Sequence, residues 1–233
     1  AKFITGLVGN VQIPVMSAGN VTWEGETASA KDGAGAFTNV QLTPHRLTAY
    51  VDISKQFLAQ DGLGAENMLR QDIINAINSK LEETILQDDN TNANAPVGMA
   101  YNQTATAISG FSDITAMEAG VENANVFGEC KYIVSPTAKA TLRTLNYGGK
   151  STRMVMEGGE IDGTSALVTT NAQSTTANVI YGDWNQLAIG QWGSIDLTVD
   201  PYTKAADGQV RLVINAFFDA KVVRPAAFAF GKI

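Results

Sequence analysis

The sequence predicts an α+β fold built on one long helix, and three observations carry that prediction. Between Gly64 and Leu86 the apolar residues Leu69, Ile73, Ile77, Leu81 and Ile85 recur every fourth position, which is the spacing of one helix face. From Asn178 to Ile233 the chain carries a nearly continuous strand pattern. Two extended arms, Val21–Glu24 and Phe37–Ile53, enclose the small, polar, Gly-rich stretch GETASAKDGAGA, which reads as a hairpin tip.

Taken in order, Phe3 to Val15 is an extended lead-in. The return arm of the hairpin alternates at Val40, Leu42, Leu47, Ala49, Val51 and Ile53, and Pro44 shifts its register midway. A proline inside a strand marks an edge or a bulge. A tip of small and polar residues cannot pack on its own, so the hairpin is expected to project from the body, with arms reaching on the order of 40 Å at about 3.3 Å per residue. The long helix follows, roughly 34 Å at about 1.5 Å per residue, the width of a domain. Met68, Ile74 and Ala76 widen its apolar stripe, and Pro96 prevents it from continuing. Ser112–Asn125 and Pro136–Leu145 read as two shorter helices, with the strand Lys131–Val134 between them. Asn146 to Gly163 is Gly-rich and reads as a mobile loop. Strands are expected at Ala166–Thr170, Asn178–Tyr181, Gln186–Ile189, Ile195–Val199, Val210–Phe218 and Lys221–Val223.

The composition narrows the function. With 233 residues, 45% hydrophobic and 17% charged, the chain suits one large domain or two small ones. Its charged fraction is below the usual quarter or so of globular chains, so much of the surface must be uncharged and polar or covered by partners. The net charge of −7 argues against binding nucleic acid by phosphate neutralisation. A single cysteine, Cys130, forms no disulfide framework within the chain, and an intracellular folding compartment is expected. No apolar run approaches the roughly 18 residues needed to cross a bilayer, and no membrane partner is expected.

Reactive chemistry is sparse. Tyr147-Gly148-Gly149-Lys150-Ser151-Thr152 echoes a phosphate-binding loop, but Thr144 stands where the first glycine belongs and a helical segment precedes it. The single histidine, His45, has no cysteine or acidic residue near it in sequence, so with its neighbour Arg46 it reads as a surface or interface group rather than a general base. Glu82 and Glu83, with Asp88 and Asp89, form an acidic cluster whose spacing does not match a calcium loop. It reads as a solvated or inter-subunit patch. Trp23, Trp184 and Trp192 read as core or interface anchors. No catalytic residue, metal or cofactor is expected.

In order and spacing these pieces resemble major capsid proteins of tailed phages with the Hong Kong 97 fold. Val11-Gln12-Ile13-Pro14 and Trp23-Glu24-Gly25-Glu26 look like the strand entering that family's extended loop, and Phe37 to Ser54 like the return strand leading to its spine helix. Pro96-Val97-Gly98-Met99 resembles the segment closing the spine region, and Tyr132-Ile133-Val134-Ser135-Pro136 the strand-to-helix entry of the axial domain. Ile180-Tyr181-Gly182-Asp183-Trp184 resembles the aliphatic-x-Gly-Asp-aromatic segment, and Val222-Val223-Arg224-Pro225-Ala226-Ala227-Phe228 the C-terminal strand, which adds Arg224 to the interface candidates.

The resemblance implies an L-shaped subunit. Residues 1–15 would be the remnant of an N-terminal arm, which in the family is longer and often preceded by a cleaved scaffolding segment. Residues 16–52 would form the extended hairpin, lying across a neighbouring subunit. Residues 53–102 and 194–221 would form a peripheral domain, and 103–193 with 222–233 an axial domain. It implies partners too: copies of the chain as hexamers and pentamers, possible scaffolding protein, maturation protease, portal and decoration proteins, and an enclosed DNA genome bound without sequence specificity. The expected location is a virion capsid assembled in a bacterial cytoplasm. Some members of the family crosslink covalently from a hairpin-tip lysine, here Lys31, to an asparagine with a glutamate as base. The strand that should supply the partners reads Asp207-Gly208-Gln209-Val210-Arg211 and then Ile214-Asn215-Ala216-Phe217, with no asparagine at the first place and no glutamate at the second, so no self-crosslinking is expected. Two rival readings are an encapsulin-type compartment shell and an α+β hydrolase, the latter requiring His45 beside a nucleophile in a pocket.

Overall fold

The computed structural model describes residues 1–16, 21–24, 26–27, 29, 32–33, 35, 37–60, 62–126, 128–148 and 151–233, with backbone alone for 58–60 and 62–67. Much of the expected hairpin tip, and Gly149 and Lys150 of the expected phosphate loop, lie outside the described residues.

The N-terminal strands are β1 (Lys2–Ile4), β2 (Val11–Met16), β3 (Phe37–Leu42) and β4 (His45–Ser54). Two helices follow, α1 (Lys55–Gln60) and α2 (Gly62–Leu86), then β5 (Thr106–Ala107), α3 (Phe111–Asn123), β6 (Cys130–Val134) and α4 (Pro136–Leu142). The remaining strands are β7 (Met156–Glu157), β8 (Glu160–Ile161), β9 (Thr164–Val168), β10 (Val179–Asp183), β11 (Leu187–Asp200), β12 (Gln209–Val222) and β13 (Phe228–Lys232).

The hairpin differs from the sequence expectation. Its outgoing strand is β2, not Val21–Glu24, which is coil. β2 pairs antiparallel with β3 from Val11–Leu42 at the root to Met16–Phe37 at the far end. Trp23 and Thr22 have strand propensity, but the alternation of Val11, Ile13 and Val15 sets the register. Six paired residues span about 20 Å, half the expected reach. Pro44 divides the return arm: β3 stays with β2, while β4 leaves it and pairs with β12.

A four-stranded sheet has the order β1-β11-β12-β4. Alternation along β12 points Leu212, Ile214, Ala216 and Phe218 to one face, and Ile73 and Ile77 of α2 pack there with Leu47, Val51 and Leu197. Fully burying a side chain as large as Ile214 or Phe218 contributes about 1.5–3 kcal/mol. The stripe on α2 is narrower than expected: Met68 and Ile74 are exposed. The two expected strands around residue 190 are one, β11, because Gly193 takes a left-handed φ of 69° and absorbs the extra residues in a bulge between Trp192 and Asp196. On the opposite face, the Arg211 guanidinium bonds Asp52 through Nε at 2.7 Å and Nη2 at 2.8 Å and lies 4.2 Å over the Tyr50 ring.

That ion pair predicts a pH response. The Arg211 hydrogen bond holds the Asp52 carboxyl below its ordinary value of 3.8. A lowered folded value means that the stabilisation is present above the unfolded value and is lost as pH falls through the folded one. Arg211→Leu should flatten the acid limb of a stability-versus-pH curve below about pH 4, with little change in its slope at neutral pH. An unchanged acid limb in urea titrations would refute this.

A seven-stranded mixed sheet has the order β5-β13-β10-β6-β9-β8-β7. Val179 and Tyr181 of the buried central strand β10 face α3 and α4, where Ile114, Met117, Val121, Ala138 and Leu142 complete the core. Ser135 caps α4 by accepting the Ala138 N–H at 3.1 Å, with Pro136 at its first turn. Within this core Tyr132 donates to Glu118 at 2.6 Å, and burial pushes both groups upward in pKa. The expected loop at 146–163 contains the β7–β8 hairpin, with Val155, Met156 and Ile161 buried in this core.

The second face of this sheet meets the end of α2. Ile180, Phe228 and Phe230 pack with Ile85, Leu86, Met99, Ala100 and Leu187. Helix carbonyls at a C-terminus lack partners within the helix. Here the chain returns to satisfy them: Met99 N–H donates to Ile85 O at 2.8 Å and Ala100 N–H to Gln87 O at 3.3 Å.

Candidate assembly surfaces

The surface candidates fall into three groups. The first is the projecting hairpin. At its far end Met16 and Phe37 are exposed side by side, and Val21 and Trp23 beyond them are exposed by 92% and 103%. Exposed large apolar side chains such as these are candidates for an interaction surface. Lys31 lies outside the described residues.

The hairpin root is fastened tightly. Leu42 is fully buried against the sheet. Trp192 Nε1–H donates to Gly9 O at 2.6 Å, and Leu7 N–H to Gln191 O at 3.3 Å. Asp219, near the C-terminal end of β12, is fully buried; its carboxylate accepts Thr43 N–H at 2.8 Å and Ala220 N–H at 2.8 Å. This carboxylate fixes the point where β3 departs from the sheet. Sequence reasoning missed it; the only signal was an acidic residue inside an apolar strand run.

The second group lies along α2. His45 and Arg46 open β4 and edge a groove of about 140 Å³ with Leu47, Lys80, Leu81 and Phe218. The His45 ring nitrogen is 3.3 Å from the Thr43 hydroxyl, and among the described residues no carboxylate bonds the imidazole. Glu82 accepts a hydrogen bond from Asn171 at 3.0 Å, and Glu83 pairs with Lys80 at 2.9 Å. Asp88 accepts Thr175 and Thr176. Burial pushes the Asp88 carboxyl up, but these donors outweigh it and hold it below its ordinary value. Glu82 and Asp88 thus tie α2 and the turn after it to the segment before β10, while Glu83 pairs within the helix and Asp89 accepts Thr91. A second groove, about 200 Å³, runs beside it between Leu81, Ile133, Trp184 and Ile189, with Glu82 on its rim.

The third group closes the two-sheet junction. Trp184 donates to Lys131 O at 2.9 Å and meets Phe228 edge-on at 5.4 Å. The Arg224 guanidinium bonds the carbonyls of Ala124 and Asn125 at the end of α3. Both side chains make these bonds within the subunit and remain partly exposed. Next to them is a cleft of about 170 Å³ floored by Ile85, Met99, Leu187, Phe228 and Phe230, with Lys221 at its edge. The sequence carried no sign of this cleft, because its walls come from four separate segments.

His45 and Arg46 share one groove at the start of β4, and Trp23 lies in exposed coil between β2 and β3. No group of three or more metal-ligating side chains gathers among the described residues. Solved structures share the fold over the whole chain. One is the capsid of a native GTA particle, with a TM-score of 0.78 and 14% identity, covering 100% of this chain and 88% of that one. Another, from Microbacterium phage Oxtober96, has a TM-score of 0.75 and 16% identity, covering 99% of this chain and 88% of that one. The α+β capsid fold read from the sequence is therefore the observed one. By sequence, the chain is 26% identical over 240 residues to the major capsid protein of Halomonas phage phiHAP-1, covering 100% of this chain and 39% of that protein. It is 31% identical over 97 residues to the major capsid protein of Klebsiella oxytoca phage phiKO2, covering 41% of this chain and 22% of that protein. The chain thus spans well under half the length of these relatives. The model of the phage capsid family matches residues 1–233, and the chain belongs to that family.

Proposed function

We propose that this chain is the shell-forming part of a major capsid protein, with copies associating as hexamers and pentamers into an icosahedral shell around a phage or prophage DNA genome. The observation that supports this best is a fold shared with solved capsid chains over its full length, presenting a projecting hairpin with an exposed apolar end. The mechanism is many modest contacts made at once, which close a shell reversibly before it locks. In this reading residues 53–102 and 194–221 form the peripheral domain around α2, 103–193 with 222–233 form the axial domain, 16–52 reach to a neighbour, and 1–15 belong to an N-terminal arm. The role is structural rather than catalytic. Scaffolding, protease, portal and decoration proteins are the further partners of such a shell, which forms in the bacterial cytoplasm and ends as the virion capsid.

Electron microscopy of the purified protein tests the proposal, with shells, hexamers or pentamers as the expected result. A strictly monomeric particle under all assembly conditions would sink it. Assembled particles should also run as a single monomer band on denaturing gels, because the strand has no asparagine at the first place, around Asp207, and no glutamate at the second, around Asn215, for a Lys31 crosslink. A covalent ladder would overturn that expectation.

A further inference from the structure

β4 is an edge of the four-stranded sheet, and among the described residues no strand pairs with its outer side. It pairs with β12 over all ten of its residues, from His45–Phe218 to Ser54–Gln209, without a bulge. In an antiparallel ladder the N–H and C=O of one residue point to the same side, and those of its neighbours to the other. Lys55 N–H, in step with this ladder, donates to Gly208 O at 2.9 Å. The odd-numbered residues of β4 therefore bond β12, and Arg46, Thr48, Tyr50 and Asp52 turn their backbone groups outward. Ala49 and Tyr50, in the middle of the strand, are exposed. An edge this long and regular is a template for another strand.

We propose that β4 pairs antiparallel with β4 of a second copy about a two-fold axis through Ala49. The outward backbone groups allow only registers that set even-numbered residues opposite even-numbered ones. The register centred on Ala49 sets Arg46 of each copy against Asp52 of the other, and Thr48 against Tyr50. On the face toward α2 it sets Leu47 opposite Val51. Arg46 is exposed and makes no ion pair among the described residues. Asp52 already accepts Arg211, and its carboxylate has lone pairs left for a second guanidinium. A shift of two residues one way brings Asp52 opposite Pro44, which has no N–H. The opposite shift sets Arg46 against Ser54 and loses both charge pairs. Arg46 thus discourages any strand with no acid opposite it, and it selects this one. The contact is isologous, extends the sheet across two copies and places both α2 helices on one face. It lies in the body of the subunit, apart from the projecting β2–β3 strands. It rests on the self-assembly reading and adds a sheet-to-sheet contact to it.

Disulfide trapping in a Cys130→Ser background tests the register. Ala49 would face its own copy at a non-hydrogen-bonded position, where Cα atoms lie about 4.5 Å apart, within the reach of a disulfide. Ala49→Cys protein should therefore give a homodimer on non-reducing gels, and Tyr50→Cys protein much less of one. Adding Arg46→Glu to the Ala49→Cys protein should cut the yield roughly tenfold, because it sets like charges opposite each other twice. Arg46→Lys should restore most of it. The melting temperature of the unassembled Arg46→Glu subunit should stay within a degree or two of the parent, since the side chain is exposed. Particles that form while Ala49→Cys gives no dimer, or that favour the Tyr50→Cys product, overturn the pairing and leave the shell reading intact. A yield indifferent to Arg46→Glu overturns it as well. A protein that never associates overturns both.

Discussion

Gly98→Ala should lower the melting temperature by roughly 10 °C or more, corresponding to about 3–5 kcal/mol in a chain of this size. A Cβ on Gly98 would lie 2.0 Å from Gln87 O and 2.7 Å from Gln87 C, and both are backbone atoms. No rotamer change relieves that overlap. The segment also cannot retreat, because the next two residues hold the end of α2 through Met99 N–H to Ile85 O and Ala100 N–H to Gln87 O. Moving it outward breaks those bonds and withdraws Met99 and Ala100 from the junction core. Thermal denaturation followed by circular dichroism reads the effect, and a melting temperature within a degree or two of wild type would disprove the crowding argument.

Asp219→Ala should cost about 3 kcal/mol, since it leaves two N–H groups without their charged acceptor in a buried site. The loss should be local in its consequences. Thr43 N–H is one of those donors, so amide exchange at Thr43 and along Phe37–Leu42 should accelerate more than exchange in the β10 core. Asp219→Asn retains one oxygen acceptor and should fall between the two. Uniform acceleration across the chain would show that Asp219 contributes only general stability and does not hold the root of the hairpin.

The legible parts of this fold were those set by local periodicity. The fourfold recurrence from Leu69 to Ile85 located α2 to within two residues at its start and at its end. The strand pattern after Asn178 found every long C-terminal strand, though Gly193 merged two of them. Long-range register was not legible. Val21–Glu24 has strand-forming residues, but pairing belongs to Val11–Met16, which a single sequence does not reveal. The candidate surfaces were read unevenly for the same reason. Trp23 is legible as an anchor by type, but its full exposure in the subunit is not. Trp184 and Arg224 are interface candidates by type as well, and the bonds they donate to Lys131, Ala124 and Asn125 depend on contacts between distant segments that spacing does not show. The Lys221 cleft and the Gly98 contact arise where distant segments meet, so composition and spacing carry no trace of them.

The division of one extended segment at Pro44 has a mechanical consequence. β3 and β4 are continuous in the chain, so tension on the hairpin passes covalently into β4 and from there to the ten-residue ladder with β12. Tension along the strand axis loads those rungs together, in shear, instead of peeling them one at a time. The edge strand that anchors the hairpin is thereby the element best placed to bear a pull from a neighbouring molecule without unravelling the sheet behind it.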